Sequence, residues 1–311
     1  ALKLLCSATA NNFKGECSME NKEQILLRMK EDILLRGLSK NTLESYTLNA
    51  RIFLEYCNRP AEELNEYDIR KFLLYLINEK KASPGTVNNY SSAIRFLFAV
   101  TFNRTLNYLQ IPRQKNRKTL PEVLTKEEVF SIIENCINLK HKAMLMVIYS
   151  SGLRVSEAAA LKIQHIDSKN MRLFVDYGKG GKDRYTLLSE TCLSVLREYW
   201  NKYRPKHPEG WLFLGTYNVS HITSRGIEWA FDKAAKRARI TKNVSVHTLR
   251  HAFATHLLED GATLLQIKEL LGHSSIQSTT IYLHLANLTA DIKSPLDNSP
   301  VYCSSSVPSN A

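Results

Sequence analysis

The sequence predicts a mainly α-helical protein of two domains with one small β-hairpin or sheet, an α+β chain of strongly helical bias. Three observations predict it. Apolar residues recur at three- and four-residue spacing along most of the chain, the period of helices that bury one stripe. One stretch, MRLFVDYGKGGKDRYTLLS, leaves that period for two short strand-like runs around a Gly-rich turn. A third stretch, IPRQKNRKTLP, is bounded by prolines and holds four cations within the six residues RQKNRK, too many for a buried segment. At 311 residues, 44% of them apolar, the chain is long enough for two cores.

The expected division is a disordered leader (1–18), a helical domain (19–110), a basic linker (111–121), a second domain (122–290) and a C-terminal tail (291–311). The leader's ALKLLCSATA has an apolar patch too short for a secretory signal, and Met19 is a natural start. The tail, with SPLDNSPVYCSSSVPSN, has no periodicity.

In the helical domain, Ile25, Leu26, Met29, Ile33 and Leu34 fall at helical spacing and Gly37 ends that helix. Ser39 then caps a second helix whose stripe is Leu43, Tyr46, Leu48, Ile52, Phe53 and Tyr56. Glu66 to Lys80 carries Ile69, Phe72, Leu73 and Leu76, and Ser83 opens a fourth helix through Val87, Tyr90, Ile94, Leu97 and Phe98. The openings SKNTLESY and SPGTVNNY match at Ser, Thr and Tyr 44 residues apart, which fits a weak duplication and recurrent N-cap chemistry equally well. Lys40, Asn41, Arg51, Lys81, Asn88, Asn89 and Arg95 decorate these helices, as either a solvated face or a nucleic-acid face.

The second domain opens on a capping box, Thr125 with Glu128. His141 to Ser151 is apolar nearly all round, as a central core helix is, and Arg154 follows at the junction with a helix starting near Ser156. The strand pair is Arg172 to Tyr177 and Arg184 to Leu188 around GKGGKD, a loop without the Walker spacing of a nucleotide site. Helices follow at Thr191 to Tyr203 and Ser224 to Arg239, with the apolar WLFLG between them.

Lys plus Arg outnumber Asp plus Glu by 42 to 30, a net charge of +12, so a polyanionic partner is expected, nucleic acid before an anionic membrane surface. No apolar run approaches a bilayer's span. The six cysteines show no C-x-x-C pair or close metal spacing and fit reduced thiols in a cytoplasmic protein.

The richest stretch is VHTLRHAFATHLLEDGATLLQIKELLGHSSIQSTTIY, from Val246 to Tyr282, which divides into three short amphipathic helices. His247 and Arg250, three apart, share a helical face and are placed to meet one anion. Gly261 and Gly272 sit where C-terminal caps fall, Thr263 and Gln266 form a capping box, and His273 lies on the turn beyond. Tyr282 is either a half-buried core tyrosine or a nucleophile beside a phosphate. His247 and His251 have i, i+4 spacing but lack the intervening glutamate of a zinc helix, so no metal is expected.

GLRVSE around Arg154, GKGGKDR around Lys179, HTLRHAFATHLL around His247 and Arg250, LLGHSS around His273 and TTIYLHL around Tyr282 together resemble the tyrosine recombinase (phage integrase) family, in its order and at its spacings. NTLESY is similar to the start of that family's helical core-binding domain, so the resemblance spans about residues 20 to 290. It implies a two-domain clamp around double-stranded DNA, a SAM-like core-binding domain plus a catalytic domain, acting as a homotetramer on a specific recombination site with accessory proteins. It implies a pentad of Arg154, Lys179, His247, Arg250 and His273 with Tyr282 as nucleophile, forming a covalent 3′-phosphotyrosine without metal, ATP or other cofactor. Two guanidiniums suit a bidentate clamp on the charge that builds in a phosphodiester under attack, and His247 is the expected base for the phenol. Lys179 competes with Lys182 for the leaving-group acid. Expected DNA contacts are Lys40, Asn41, Arg51, Lys81, Asn88, Arg95, Arg113, Lys115, Arg117, Lys118 and Lys182. The alternatives are a type IB topoisomerase and a catalytically silent DNA-binding accessory protein.

Overall fold

A computed structural model describes residues 19–115, 122–178 and 182–286. The expected leader and tail, Arg117, Lys118 and Lys179 lie outside these residues. The chain separates into two compact units, divided after Lys118, and nearly every described element is a helix.

The first unit holds α1 (Met19–Leu35), α2 (Lys40–Cys57), α3 (Glu66–Asn78) and α4 (Pro84–Phe96), the last running into a π turn, Leu97–Thr101. Ser39 and Ser83 cap α2 and α4 alike, each hydroxyl accepting from the backbone N–H of a threonine three residues on at 3.2 Å. The shared sequence openings therefore mark the same cap built twice. Phe53, Phe72 and Phe98 are fully buried at the centre of this core. The expected linker begins inside the unit: Ile111 is 1% exposed. Asn88 donates to the Gln114 carbonyl and accepts from the Gln114 N–H, both at 2.9 Å, and Arg95 donates to the Ile111 carbonyl at 2.5 Å.

The second unit holds α5 (Lys126–Glu134), α6 (Leu139–Ser151), α7 (Val155–Ala159), β1 (Ile166–Asp167), β2 (Arg172–Gly178), β3 (Lys182–Leu187), α8 (Glu190–Tyr203), α9 (Ser224–Arg237), α10 (Val246–Glu259) and α11 (Leu264–Leu271). The sheet is antiparallel in the order β1-β2-β3, with Phe174 opposite Tyr185 and Val175 opposite Arg184. The hairpin matches the expected strand pair. Two-residue β1 is too short to show an alternation in sequence. WLFLG is no strand: Trp211 and Leu214 make isolated bridges to Lys162 and His221 while Leu212 and Phe213 enter the core.

Two expectations for the richest stretch change. α10 is not amphipathic: Val246, Leu249, Arg250, Ala252, Phe253, Ala254 and Leu258 are all buried, because α5, α6, α9, α11 and the chain before Ala286 pack around it. The third helix is replaced by two 3-10 turns, Ile276–Ser278 and Thr280–His284. The β-branched run Thr279–Thr280–Ile281 loses side-chain freedom in an α-helix and disfavours one there. Among the described residues no helix is long and apolar enough to cross a membrane.

Candidate active site

α6 ends at Gly152, whose φ of +61° reverses the chain, and two residues later Arg154 becomes the N-cap of α7. Glu157, in the first turn of α7, accepts from the Arg154 backbone N–H at 2.8 Å and from Arg154 Nη1 at 2.7 Å. The same carboxylate takes Arg184, delivered by β3, through Nη1 at 2.9 Å and Nη2 at 2.7 Å. Arg250 Nη1 stands 3.7 Å from it. Burial alone would raise the Glu157 pKa, but the hydrogen bonds and charges of Arg184 and Arg154 outweigh it and hold the group at about 2.

Arg250 comes from the buried helix α10 and is 6% exposed. It donates to the Gly152 carbonyl at 2.6 Å and the Leu271 carbonyl at 2.7 Å, tying together the ends of α6 and α11. Burial first, and Arg154 second, push its pKa down to about 10, so it stays charged at neutral pH. Arg184 Nε donates to the Leu270 carbonyl at 2.9 Å. Gly272 answers two demands beside it: its φ is +63°, and a Cβ there would come within 2.8 Å of Arg184 Cδ.

Tyr282, on the second 3-10 turn, is 1% exposed and packs with Phe253, Ala254, Leu258, Ile267 and Leu271. Its hydroxyl lies 3.2 Å from His251 Nδ1. The His273 ring lies nearly parallel to the phenol, 11° apart with centroids at 6.4 Å, and its Nδ1 meets Thr279 Oγ1 at 2.9 Å. Burial raises the Tyr282 pKa, against the pull of Arg250 and Arg154. Burial, then Arg250, drive His273 down to about 4, so its ring is neutral at pH 7.

Arg154, Arg250, His273 and Tyr282 are thus brought to one place. His247, on the first turn of α10, is exposed, and the partner of the Tyr282 hydroxyl is His251, one turn further along. Glu157, Arg184 and His251 were missed in the sequence although each lies inside a quoted motif: GLRVSE, GKGGKDR and HTLRHAF. Among the described residues no three His, Cys, Asp or Glu side chains are placed to hold a metal ion.

On the first unit Lys40, Asn41, Lys81, Arg113 and Lys115 are exposed. Arg51 lies 3.6 Å from Glu23, and Arg113 reaches Ser92 at 3.3 Å. Asn88 and Arg95 are engaged by residues 111–114, and Arg95 also covers the Tyr108 ring at 4.5 Å. Lys182 is the first residue of β3.

The phage integrase family domain matches residues 122–288, and the phage integrase N-terminal SAM-like domain matches residues 25–108. A candidate integrase/recombinase of Sinorhizobium fredii, y4qK, is 40% identical over 88% of this chain and 88% of its own length. The tyrosine recombinase XerD of Listeria monocytogenes is 33% identical over 82% of this chain and 92% of its own. The XerH site-specific recombinase bound to difH before cleavage shares the fold, with a TM-score of 0.68 at 22% identity over 85% of this chain and 94% of that one.

Proposed function

The chain belongs to the phage integrase family of tyrosine recombinases, and on that premise we propose that it cuts and rejoins double-stranded DNA at a defined site through Tyr282. A charge imbalance carries this reading. Arg154, Arg184 and Arg250 crowd around one carboxylate, Glu157. Three positive charges against one negative leave two in excess among these four side chains, with the Tyr282 phenol beside them. Buried charge without a full complement of partners is costly, and a phosphodiester supplies the missing negative charge.

In the proposed reaction the Tyr282 oxygen attacks phosphorus and the 5′ oxygen leaves, giving a 3′-phosphotyrosine that stores the bond for rejoining without ATP. A guanidinium has five N–H donors. Arg250 spends two on the Gly152 and Leu271 carbonyls, which fixes its pose and leaves the others for a non-bridging oxygen. Arg154 completes the clamp, and both stabilise the pentavalent transition state. His273, held by Thr279, and His247 hydrogen-bond the phosphate, and Lys179 protonates the 5′ oxygen. The chain grips DNA with both units, Lys40, Asn41, Arg51, Lys81, Arg113, Lys115, Arg117, Lys118 and Lys182 meeting phosphates or bases, and exchanges strands as a tetramer on DNA in the cytoplasm, with accessory proteins setting direction. Since that grip neutralises many phosphates, it weakens steeply with salt.

The test is to incubate the protein with supercoiled plasmid carrying candidate sites, quench with detergent and look for covalent protein–DNA adduct. Wild type forms the adduct and Tyr282→Phe does not. An equal adduct from Tyr282→Phe, or none from wild type on any site that it binds, overturns the reading; the latter leaves a silent DNA-binding protein. Exchanged products mark a recombinase, and relaxed circles alone mark a type IB topoisomerase.

A further inference from the structure

The Tyr282 phenol is 1% exposed, so its proton has no ready path to bulk water and needs a neighbouring side chain to receive it. Three histidines are near the site, and geometry separates them. His273 lies flat against the phenol ring, and its Nδ1 is engaged by Thr279 Oγ1 at 2.9 Å. His247 is exposed on the first turn of α10. His251 alone of the three meets the hydroxyl, Nδ1 to Oη at 3.2 Å, with ring centroids 5.8 Å apart. It follows Arg250 directly on α10, so the clamp that Arg250 makes on the Gly152 and Leu271 carbonyls also fixes where His251 stands.

We propose that His251 is a catalytic residue, the general base that accepts the Tyr282 phenolic proton. This rests on the reading of Tyr282 as nucleophile and moves the base expected at His247 one turn along the helix. In the step, the Tyr282 O–H bond breaks and its proton goes to His251 Nδ1. The oxygen's electron pair forms the O–P bond, the P–O5′ bond breaks, and the 5′ oxygen takes a proton from the general acid. In rejoining, the 5′ hydroxyl gives its proton back to the general acid as its oxygen attacks phosphorus, the bond from phosphorus to the Tyr282 oxygen breaks, and that oxygen takes back the proton held by His251. The groups facing His251 favour an acceptor. Arg250 and His247 on its own helix and His273 from the turn after α11 surround it, with Tyr282 opposite. Burial first, then Arg250 and His247, lower its pKa, which keeps the ring neutral with a lone pair to offer.

The test measures single-turnover adduct formation on a duplex carrying the site that is active in the plasmid assay. A matched duplex has a bridging sulfur in place of the scissile 5′ oxygen, whose thiolate leaves without a proton. His251→Ala and His251→Gln are expected to cleave the ordinary duplex at least about 100-fold more slowly than wild type at pH 7. Both remain slow on the sulfur duplex, whereas Lys179→Ala recovers there. The wild-type rate levels off above the His251 pKa, while both variants keep rising with pH. Gln offers a hydrogen bond without taking the proton, so recovery in His251→Gln would reduce His251 to a positioning role and overturn the proposal. Wild-type rates in both variants, or rescue of either by sulfur, also overturn it, and the sulfur-to-oxygen ratio within one variant is independent of how much protein is folded. Absence of adduct from wild type removes the nucleophile reading and this inference together; a wild-type adduct with indifferent His251 variants removes only the inference.

Discussion

Glu157 and Arg184 form a two-pronged ion pair, Nη1 on Oε1 at 2.9 Å and Nη2 on Oε2 at 2.7 Å, with side chains 7% and 8% exposed. That geometry joins the first turn of α7 to β3, and Arg154 and Arg250 complete the group around the same carboxylate. Glu157→Gln leaves three guanidiniums with a neutral acceptor. Removing one partner of a buried pair costs about 3–5 kcal/mol, which urea unfolding at pH 7 will register as a lower midpoint. Inorganic phosphate should restore more stability to this variant than it adds to wild type, since an anion replaces the lost charge. An unchanged midpoint would mean that Glu157 does not hold the cluster.

His273, His251 and Glu157 all make stability fall on the acid side, each having its pKa lowered in the fold. His273 titrates at about 4 in the fold against an ordinary 6.5. Between those values the unfolded chain binds a proton that the native protein does not, so stability is full above pH 6.5 and declines as pH falls towards 4. Each such proton contributes a slope of about 1.4 kcal/mol per pH unit. His273→Gln should remove one proton's worth of slope from that window. Glu157, at about 2 against 4.5, acts with the same sign lower down: its stabilisation is present above pH 4.5 and lost through about pH 2. Unfolding free energies measured from pH 7 to pH 3 check the first window, and a His273→Gln profile parallel to wild type would contradict it.

Gly152 carries the carbonyl that Arg250 grips and turns the chain at a φ of +61°. A Cβ at this position would collide with the Phe253 ring and reach 3.0 Å from Leu271 Cδ2. Gly152→Ala combines left-handed backbone cost, about 1–2 kcal/mol, with overpacking of about 1–3 kcal/mol. The expected loss is about 2–5 kcal/mol, read by denaturant titration. Adduct formation should fall further than stability alone explains, measured where the variant is still fully folded, because Arg250 loses its seat.

The helices were legible because their caps are local. Ser39, Ser83, Thr125 and Thr263 each announce a start in their own few residues, and all four cap the helix expected of them. The site was legible as a set of residue types in order, but the contacts among them were not. Glu157 and Arg184 stand 27 residues apart, and His251 and Tyr282 stand 31 apart, separations that no local period encodes. α10 misled for a related reason. A helix buried on all sides by its neighbours keeps polar residues for interior bonds, so Arg250, expected with His247 on one polar face, turns to the Gly152 and Leu271 carbonyls, and His256 meets the Tyr149 hydroxyl. Asn88 and Arg95, expected as DNA contacts, also hold the chain's own backbone at Gln114 and Ile111, a use that their local sequence does not announce.

Asn88 offers a decisive contrast between those two uses. Its side-chain amide donates to the Gln114 carbonyl and accepts from the Gln114 N–H, both at 2.9 Å, imitating the pairing of a backbone strand. Asn88→Ala removes both bonds, each worth about 0.5–1.5 kcal/mol, and should release residues 112–115 from α4. Trypsin should then cut at Arg113 and Lys115 several-fold faster, while the core around Phe53, Phe72 and Phe98 unfolds at nearly the same denaturant concentration. Asn88→Asp keeps an acceptor for the Gln114 N–H and loses the donor to its carbonyl, so its cleavage rate should fall between the two. If cleavage is unchanged in Asn88→Ala but DNA affinity drops in a sequence-dependent way, Asn88 is a base contact rather than a clasp. A uniform loss of affinity accompanied by faster cleavage is the expected result, because the released segment carries Arg113 and Lys115 away from fixed positions beside α4.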